Sequence, residues 1–148
     1  MICYLDTSAL VKLYVEEEGS ALVMEQTRQS LLVATSKVAY AEARAAFARS
    51  RREGILDDRT YREVVANFKQ EWPSFLALEI SDPVLQRVDT VVDHHPLRGF
   101  DALHLASTLV LARRVPGENM IVGCWDVRLW ESYRKEGFLL VPRERPSQ

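Results

Sequence analysis

Short, nearly continuous apolar runs alternate with longer stretches of helical periodicity along almost the whole chain. The runs are residues 2–5 (Ile2-Cys3-Tyr4-Leu5), 31–35, 75–80, 120–125 and 138–141. Each is too short for an ordinary helix and too apolar for a strand with one wet face, which predicts about five strands covered on both sides. The intervening patterns are helical. Thr7 or Ser8 caps a first helix carrying Leu10, Val11, Leu13, Tyr14 and Val15. A second helix runs from Ser20 to about Gln29, and a third is opened by Ser36 and runs to about Glu53, with Gly54 as its C-terminal cap. Another spans about Asp57 to Gln70 and stops at Pro73; Ser81-Asp82-Pro83 starts the next. The last two cover about 100–114 and 127–136, the latter closed by Gly137. Strands separated by helices demand crossover connections, so the expected fold is α/β: a three-layer α/β/α sandwich around a parallel sheet. No repeat, low-complexity segment or linker divides the 148 residues, which reads as one domain over 1–142 and a loose polar tail over 143–148.

Composition narrows the function less than the pattern does. The net charge of −2 supplies no global basic field, so any nucleic-acid contact must be local. Cys3 and Cys124 each lie in an apolar run and read as buried thiols in a reducing compartment. No window approaches 18 uninterrupted apolar residues, and Asp6 and Lys12 interrupt any apolar region near the N-terminus. A soluble, cytoplasmic protein with no membrane span and no signal peptide is the expectation.

Four acids stand in apolar surroundings. Asp6 closes the first run, Glu42 lies inside an alanine-rich helix, Asp101 opens the helix Phe100-Asp101-Ala102-Leu103-His104, and Asp126 closes Gly123-Cys124-Trp125-Asp126. An embedded carboxylate must be paired, capped or bound to metal, because burying an uncompensated charge is costly. In open parallel sheets functional groups gather beyond the carboxyl ends of the strands, where both Asp6 and Asp126 fall. Taken singly, Asp6, Asp101 and Asp126 also read as helix caps or first-turn acids. Glu42 is harder to dismiss, since Ala39, Ala43 and Ala46 surround it with a small, close-packed face. Jointly the four predict one acidic pocket for a divalent cation, Mg²⁺ or Mn²⁺, which takes hard oxygen ligands and shares them with a substrate phosphate. A nuclease or a phosphatase is the chemistry that follows, with one ion or two about 3.5–4 Å apart.

These same motifs resemble a known family. Asp6-Thr7-Ser8-Ala9-Leu10 after an N-terminal strand, a mid-chain glutamate helix and Asp101-Ala102-Leu103-His104-Leu105-Ala106 look like a PIN domain. The likeness covers about 1–142 and is to the VapC-type ribonuclease toxins of bacterial and archaeal toxin–antitoxin pairs. It implies a PIN-like parallel sandwich and a metal-dependent endoribonuclease in which Asp6, Glu42, Asp101 and Asp126 are the catalytic, metal-holding acids. It also implies that Ser8 orients the site through hydrogen bonds. The implied partners are an RNA substrate, a VapB-like antitoxin whose flexible segment lies in the acidic groove, and a second copy in a homodimer. Leu13, Tyr14, Val15 and the 57–70 helix are candidate surfaces for those contacts, or ordinary core. One departure stands out: Cys124 occupies the position, two before Asp126, where the family commonly has threonine or serine.

The remaining features have competing readings. Arg44, Arg49, Arg51 and Arg52 follow Glu42 on one helix and read either as surface charge or as an RNA-binding, phosphate-tracking rim. Arg113-Arg114 offers a second basic patch. Asp93-His94-His95 resembles the motif of DHH phosphoesterases but ends a helix, where histidines suit the dipole. His104 lies one turn after Asp101 and reads chiefly as a packing residue. A haloacid-dehalogenase-type phosphatase needs a second aspartate where Ser8 stands. The rival to a nuclease is therefore a non-catalytic PIN-like RNA-binding or scaffold protein, with the acids surviving as caps.

Overall fold

The computed structural model describes residues 1–147. Its strands are β1 (Ile2–Leu5), β2 (Leu32–Ser36), β3 (Leu76–Leu78), β4 (Met120–Gly123) and β5 (Leu139–Val141). The helices are α1 (Thr7–Val11), α2 (Ser20–Gln29), α3 (Val38–Arg52), α4 (Asp58–Glu71), α5 (Asp82–His94), α6 (Gly99–Arg114) and α7 (Val127–Lys135). The strands form one sheet in the order β3-β2-β1-β4-β5, with each adjacent pair parallel. This is the α/β/α sandwich that the alternation of runs predicts.

Side-chain alternation along β1 shows how both faces are buried. Ile2 and Tyr4 enter the core formed with Val84 and Val91 of α5, Leu105 of α6 and Tyr133 of α7. Cys3 and Leu5 enter the opposite core with Leu10 of α1, Phe47 of α3 and Phe68 of α4. In that second core Phe68 meets Phe47, Tyr14, Tyr40 and Trp72 at ring separations of 5.3–5.5 Å. Offset and edge-on aromatic contacts of this kind fasten α3 and α4 to the turn after α1. Leu13, Tyr14 and Val15, candidates for a partner surface, pack against this core instead. Among the described residues no helix is long and apolar enough to cross a membrane.

Differences from the expected boundaries have local causes. The first helix ends at Val11 and continues as turns, with Leu13 and Tyr14 N–H donating to the carbonyls of Leu10 and Val11. Ser36 ends β2 instead of opening α3, although its Oγ accepts the Val38 N–H at 3.2 Å. β3 keeps only three of the six residues expected, as an edge strand with a single neighbour. Of the polar tail, residue 148 lies outside the described residues; before it, Arg145 pairs with Glu131 at 2.6 Å and Pro146 is buried.

The strand order reverses direction between β1 and β4. Chain order proceeds outward through β2 and β3 on one side and through β4 and β5 on the other. In open α/β sheets this switch point opens a crevice at the carboxyl ends of the two strands. Asp6 follows β1 there, and Cys124-Trp125-Asp126 follows β4.

Candidate active site

Two close approaches shape the crevice. A Cβ on Gly123 would lie 2.8 Å from Leu5 Cδ2 and 3.2 Å from Ala9 Cβ, so only glycine lets β4 sit this near β1 and α1. The Asp6 N–H then donates to Gly123 O at 3.2 Å. At Gly19, φ is +92° and an added Cβ would fall 2.5 Å from Trp125 Cζ2. That left-handed glycine gives the Trp125 indole its seat, with Lys12 Nζ 5.0 Å from the ring centroid on a cation–π contact.

Asp6 is 2% exposed and caps α1, its Oδ1 accepting from the Ala9 N–H at 3.0 Å and from Ser8 Oγ at 2.7 Å. Ser8 Oγ also accepts the Trp125 N–H at 2.8 Å, so one hydroxyl joins the end of β1 to the end of β4. Burial raises the Asp6 carboxyl above its ordinary value, against the lowering influence of His104, Ser8, Ala9 and Cys124. The Cys124 thiol donates to Asp126 O at 3.4 Å. Burial first, then the charge of Asp6, pushes that thiol well above its usual range, which keeps it protonated and a poor nucleophile.

Glu42 projects from α3 toward the same crevice and is only partly buried. Its Oε1 accepts from Thr7 Oγ1 at 2.6 Å and lies 2.9 Å from His104 Nε2. Burial would raise this carboxyl, but the hydrogen bonds from His104 and Thr7 outweigh it and hold the group below its ordinary value. Asp126 caps α7, its Oδ1 accepting from the Leu129 N–H at 3.0 Å. Asp101, in the first turn of α6, is half-buried. Its carboxyl is pushed up to about 6, by burial first and then by the charges of Asp126, Asp6 and Glu42, with His104 opposing. The charges of Asp126, Asp6 and Glu42 thus all reach Asp101, which lines one pocket with Asp126.

Capping and gathering are thus not alternatives here. Asp6 and Asp126 cap helices through one named oxygen each, and those helices start at the crevice because the acids end the strands that form it. Among the described residues, Asp101 and the second oxygens of Glu42 and Asp126 take no hydrogen bond. The donor set is all hard oxygen, which fits Mg²⁺ or Mn²⁺. No group of three or more His, Cys, Asp or Glu among the described residues is drawn close enough to enclose an ion. A cation that keeps several of its waters and takes one or two carboxylates directly suits that spacing.

Sequence reasoning singles out the acids and Ser8 but misses Thr7 and His104 as their partners, and it misses the walls of the pocket. Arg98, Trp125, Val127, Arg128 and Ser147 line a cavity of about 440 Å³ with Asp101 and Asp126. Three of the four α3 arginines have local partners: Arg49 pairs with Glu53, Arg51 with Asp58 and the Tyr61 ring, and Arg44 with Tyr61. His94 engages Thr90 O, and His95 pairs with Glu136 at 2.7 Å, both outside the crevice.

A chain that sets acids from four elements at the switch point of a β3-β2-β1-β4-β5 sheet belongs to the PIN-domain family, whose model matches residues 3–112. Within that family its relatives are VapC proteins. It is 32% identical over 143 residues to ribonucleases VapC45 and VapC49 of Mycobacterium tuberculosis, covering 97% of this chain and 96% of each relative. Among solved structures it is similar to FitAcB from Neisseria gonorrhoeae, with a TM-score of 0.67, 17% identity and coverage of 95% and 96%. VapBC2 from Rickettsia felis, bound to a DNA fragment from its promoter, gives a TM-score of 0.65 at 12% identity, covering 95% and 97%. These two likenesses concern the fold.

Proposed function

We propose that this protein is a metal-dependent endoribonuclease, the toxin of a toxin–antitoxin pair. The observation that carries the reading is the placement of Asp6 and Asp126 beyond β1 and β4 at the sheet's switch point, with Asp101 lining one pocket with Asp126. Burial first, and then the charges of Asp126, Asp6 and Glu42, push the Asp101 carboxyl up to about 6. Such convergence costs stability without a compensating cation, and perturbed carboxyls in a cleft cluster at functional sites. The ribonuclease names of relatives matched over nearly the full chain support the substrate class.

Asp6 and Asp101 would hold Mg²⁺ or Mn²⁺, with Glu42 through its unbonded oxygen and Asp126 at the outer edge. When bound, the ion supplies Lewis acidity: it offsets charge on the phosphate oxygens and lowers the pKa of water. The protein's own part is orientation. Ser8 fixes Asp6 against Trp125, and Thr7 and His104 fix Glu42. Water is the nucleophile, because Ser8 is committed to Asp6 and Trp125 and the Cys124 thiol is held protonated.

Arg98 and Arg128 line the same pocket as Asp101 and Asp126 and would take backbone phosphates of the RNA. The arginine row Arg44, Arg49, Arg51 and Arg52 would serve as a more distant positive strip. The crevice also suits a VapB-like antitoxin segment bearing a basic side chain, and a homodimer completes the assembly. Purified protein with Mn²⁺ is expected to cleave RNA, and Asp6→Asn to abolish cleavage while keeping the fold. Equal cleavage by the variant contradicts the mechanism, whereas RNA binding without cleavage in the wild type makes this a scaffold.

A further inference from the structure

A buried imidazole spans the gap between the sheet and the acidic crevice. His104 lies in α6, one turn beyond Asp101, and is 1% exposed. Its Nδ1 is 2.9 Å from the Tyr4 hydroxyl, and the Tyr4 ring, fully buried in β1, meets the imidazole edge-on. Its Nε2 faces the other way, 2.9 Å from Glu42 Oε1 and 3.1 Å from Thr7 Oγ1. Thr7 Oγ1 donates to that same Oε1 at 2.6 Å.

The partners fix the proton positions. A carboxylate oxygen only accepts, so Nε2 carries hydrogen, and Nδ1 of the neutral ring then accepts from Tyr4. Were the ring charged, the Tyr4 hydroxyl would turn to accept and the Nε2 donor to Glu42 would remain. The contact therefore stands in either charge state. A histidine serving the core alone has no need to aim a ring nitrogen at a partly exposed acid on another helix.

We infer that His104 is a positioning residue: with Thr7 it clamps Glu42 through Oε1, leaving Oε2 as the oxygen that Glu42 presents to the cation. The inference rests on the metal site proposed above. It makes Tyr4 the anchor that fixes the imidazole plane, and it ties the acid of α3 to the helix that carries Asp101. Partners one shell removed from a metal orient its ligands, and their loss typically weakens metal affinity about 10–100-fold.

The test is Mn²⁺ binding to the purified, RNA-free protein by calorimetry, alongside metal-free thermal unfolding. His104→Gln places an amide N–H₂ where Nε2 stands and is expected to keep near wild-type affinity. His104→Asn places its amide at the Nδ1 end, short of Glu42, and is expected to bind Mn²⁺ about 10–100-fold more weakly. In a Glu42→Gln background the same substitution should cost little further affinity. Wild-type affinity in His104→Asn overturns the clamp and leaves the metal site standing; absence of Mn²⁺ binding by the wild type overturns both. Should His104→Asn fail to fold, Tyr4→Phe decides: weakened binding supports the clamp, and unchanged binding overturns it.

Discussion

Across the interval from pH 3.8 to about 6, Asp101 keeps a proton in the folded protein that it has lost in the unfolded chain. The native state binds the extra proton there, so this group's contribution to metal-free stability falls as pH rises through the window and stays unfavourable above it. Asp101→Asn removes that liability. In chelator-treated protein the unfolding midpoint of the variant should gain on the wild type between about pH 4 and 6, and stay higher at pH 7–8. A midpoint difference that does not change with pH contradicts the account of Asp101. The four acids were legible because a carboxylate inside an apolar run is anomalous wherever the chain folds. Thr7 and His104 were not, because a threonine after a strand reads as a cap and a histidine between leucines reads as core. Their roles depend on α3 meeting α6, and Glu42 and His104 are 62 residues apart. Cys124 shows the converse: its departure from the family pattern was plain, but only the fold shows the thiol reaching the Asp126 carbonyl.

Strands and helices were legible to within a few residues wherever periodicity and caps agreed. The α2 span, Ser20–Gln29, and the Ser81 cap of α5 match the sequence reading. Agreement fails where tertiary geometry cuts an element short. α1 stops at Val11 because Tyr14 and Val15 must turn into the aromatic core, and β3 is brief because it has one neighbour. The least legible elements are the connections that set the pocket. Nothing in Glu16-Glu17-Glu18-Gly19 announces that Gly19 receives an indole 106 residues away. Gly19→Ala is expected to destabilise the protein by about 1–3 kcal/mol, since it adds overpacking against Trp125 to a left-handed backbone. Denaturant unfolding followed by tryptophan fluorescence checks this, and an unchanged midpoint contradicts the proposed seat.

The molecule as a whole carries a net charge of −2, yet two arginines, Arg98 and Arg128, line the pocket that holds Asp101 and Asp126. Under the proposed function that arrangement would separate two tasks, with acids for a cation and Arg98 and Arg128 for phosphate. Replacing both arginines with alanine is expected to weaken RNA binding and to lower the slope of log affinity against log salt by about 1.4, because each single-strand phosphate contact contributes about 0.7. The fold class was legible because five two-faced apolar runs leave few alternatives to a parallel sheet. This arginine pair was not, because Arg98 and Arg128 are 30 positions apart and come to line one pocket only after α6 and β4 are placed. The central claim, that four acids from distant segments form one cation-dependent ribonuclease site, is tested most directly by cleavage of total RNA by wild type and Asp101→Asn. Each would be assayed with Mn²⁺, with chelator, and after Mn²⁺ is restored. The account predicts cleavage by the wild type alone, lost with chelator and recovered with Mn²⁺; cleavage that survives chelation, or that persists in Asp101→Asn, contradicts it.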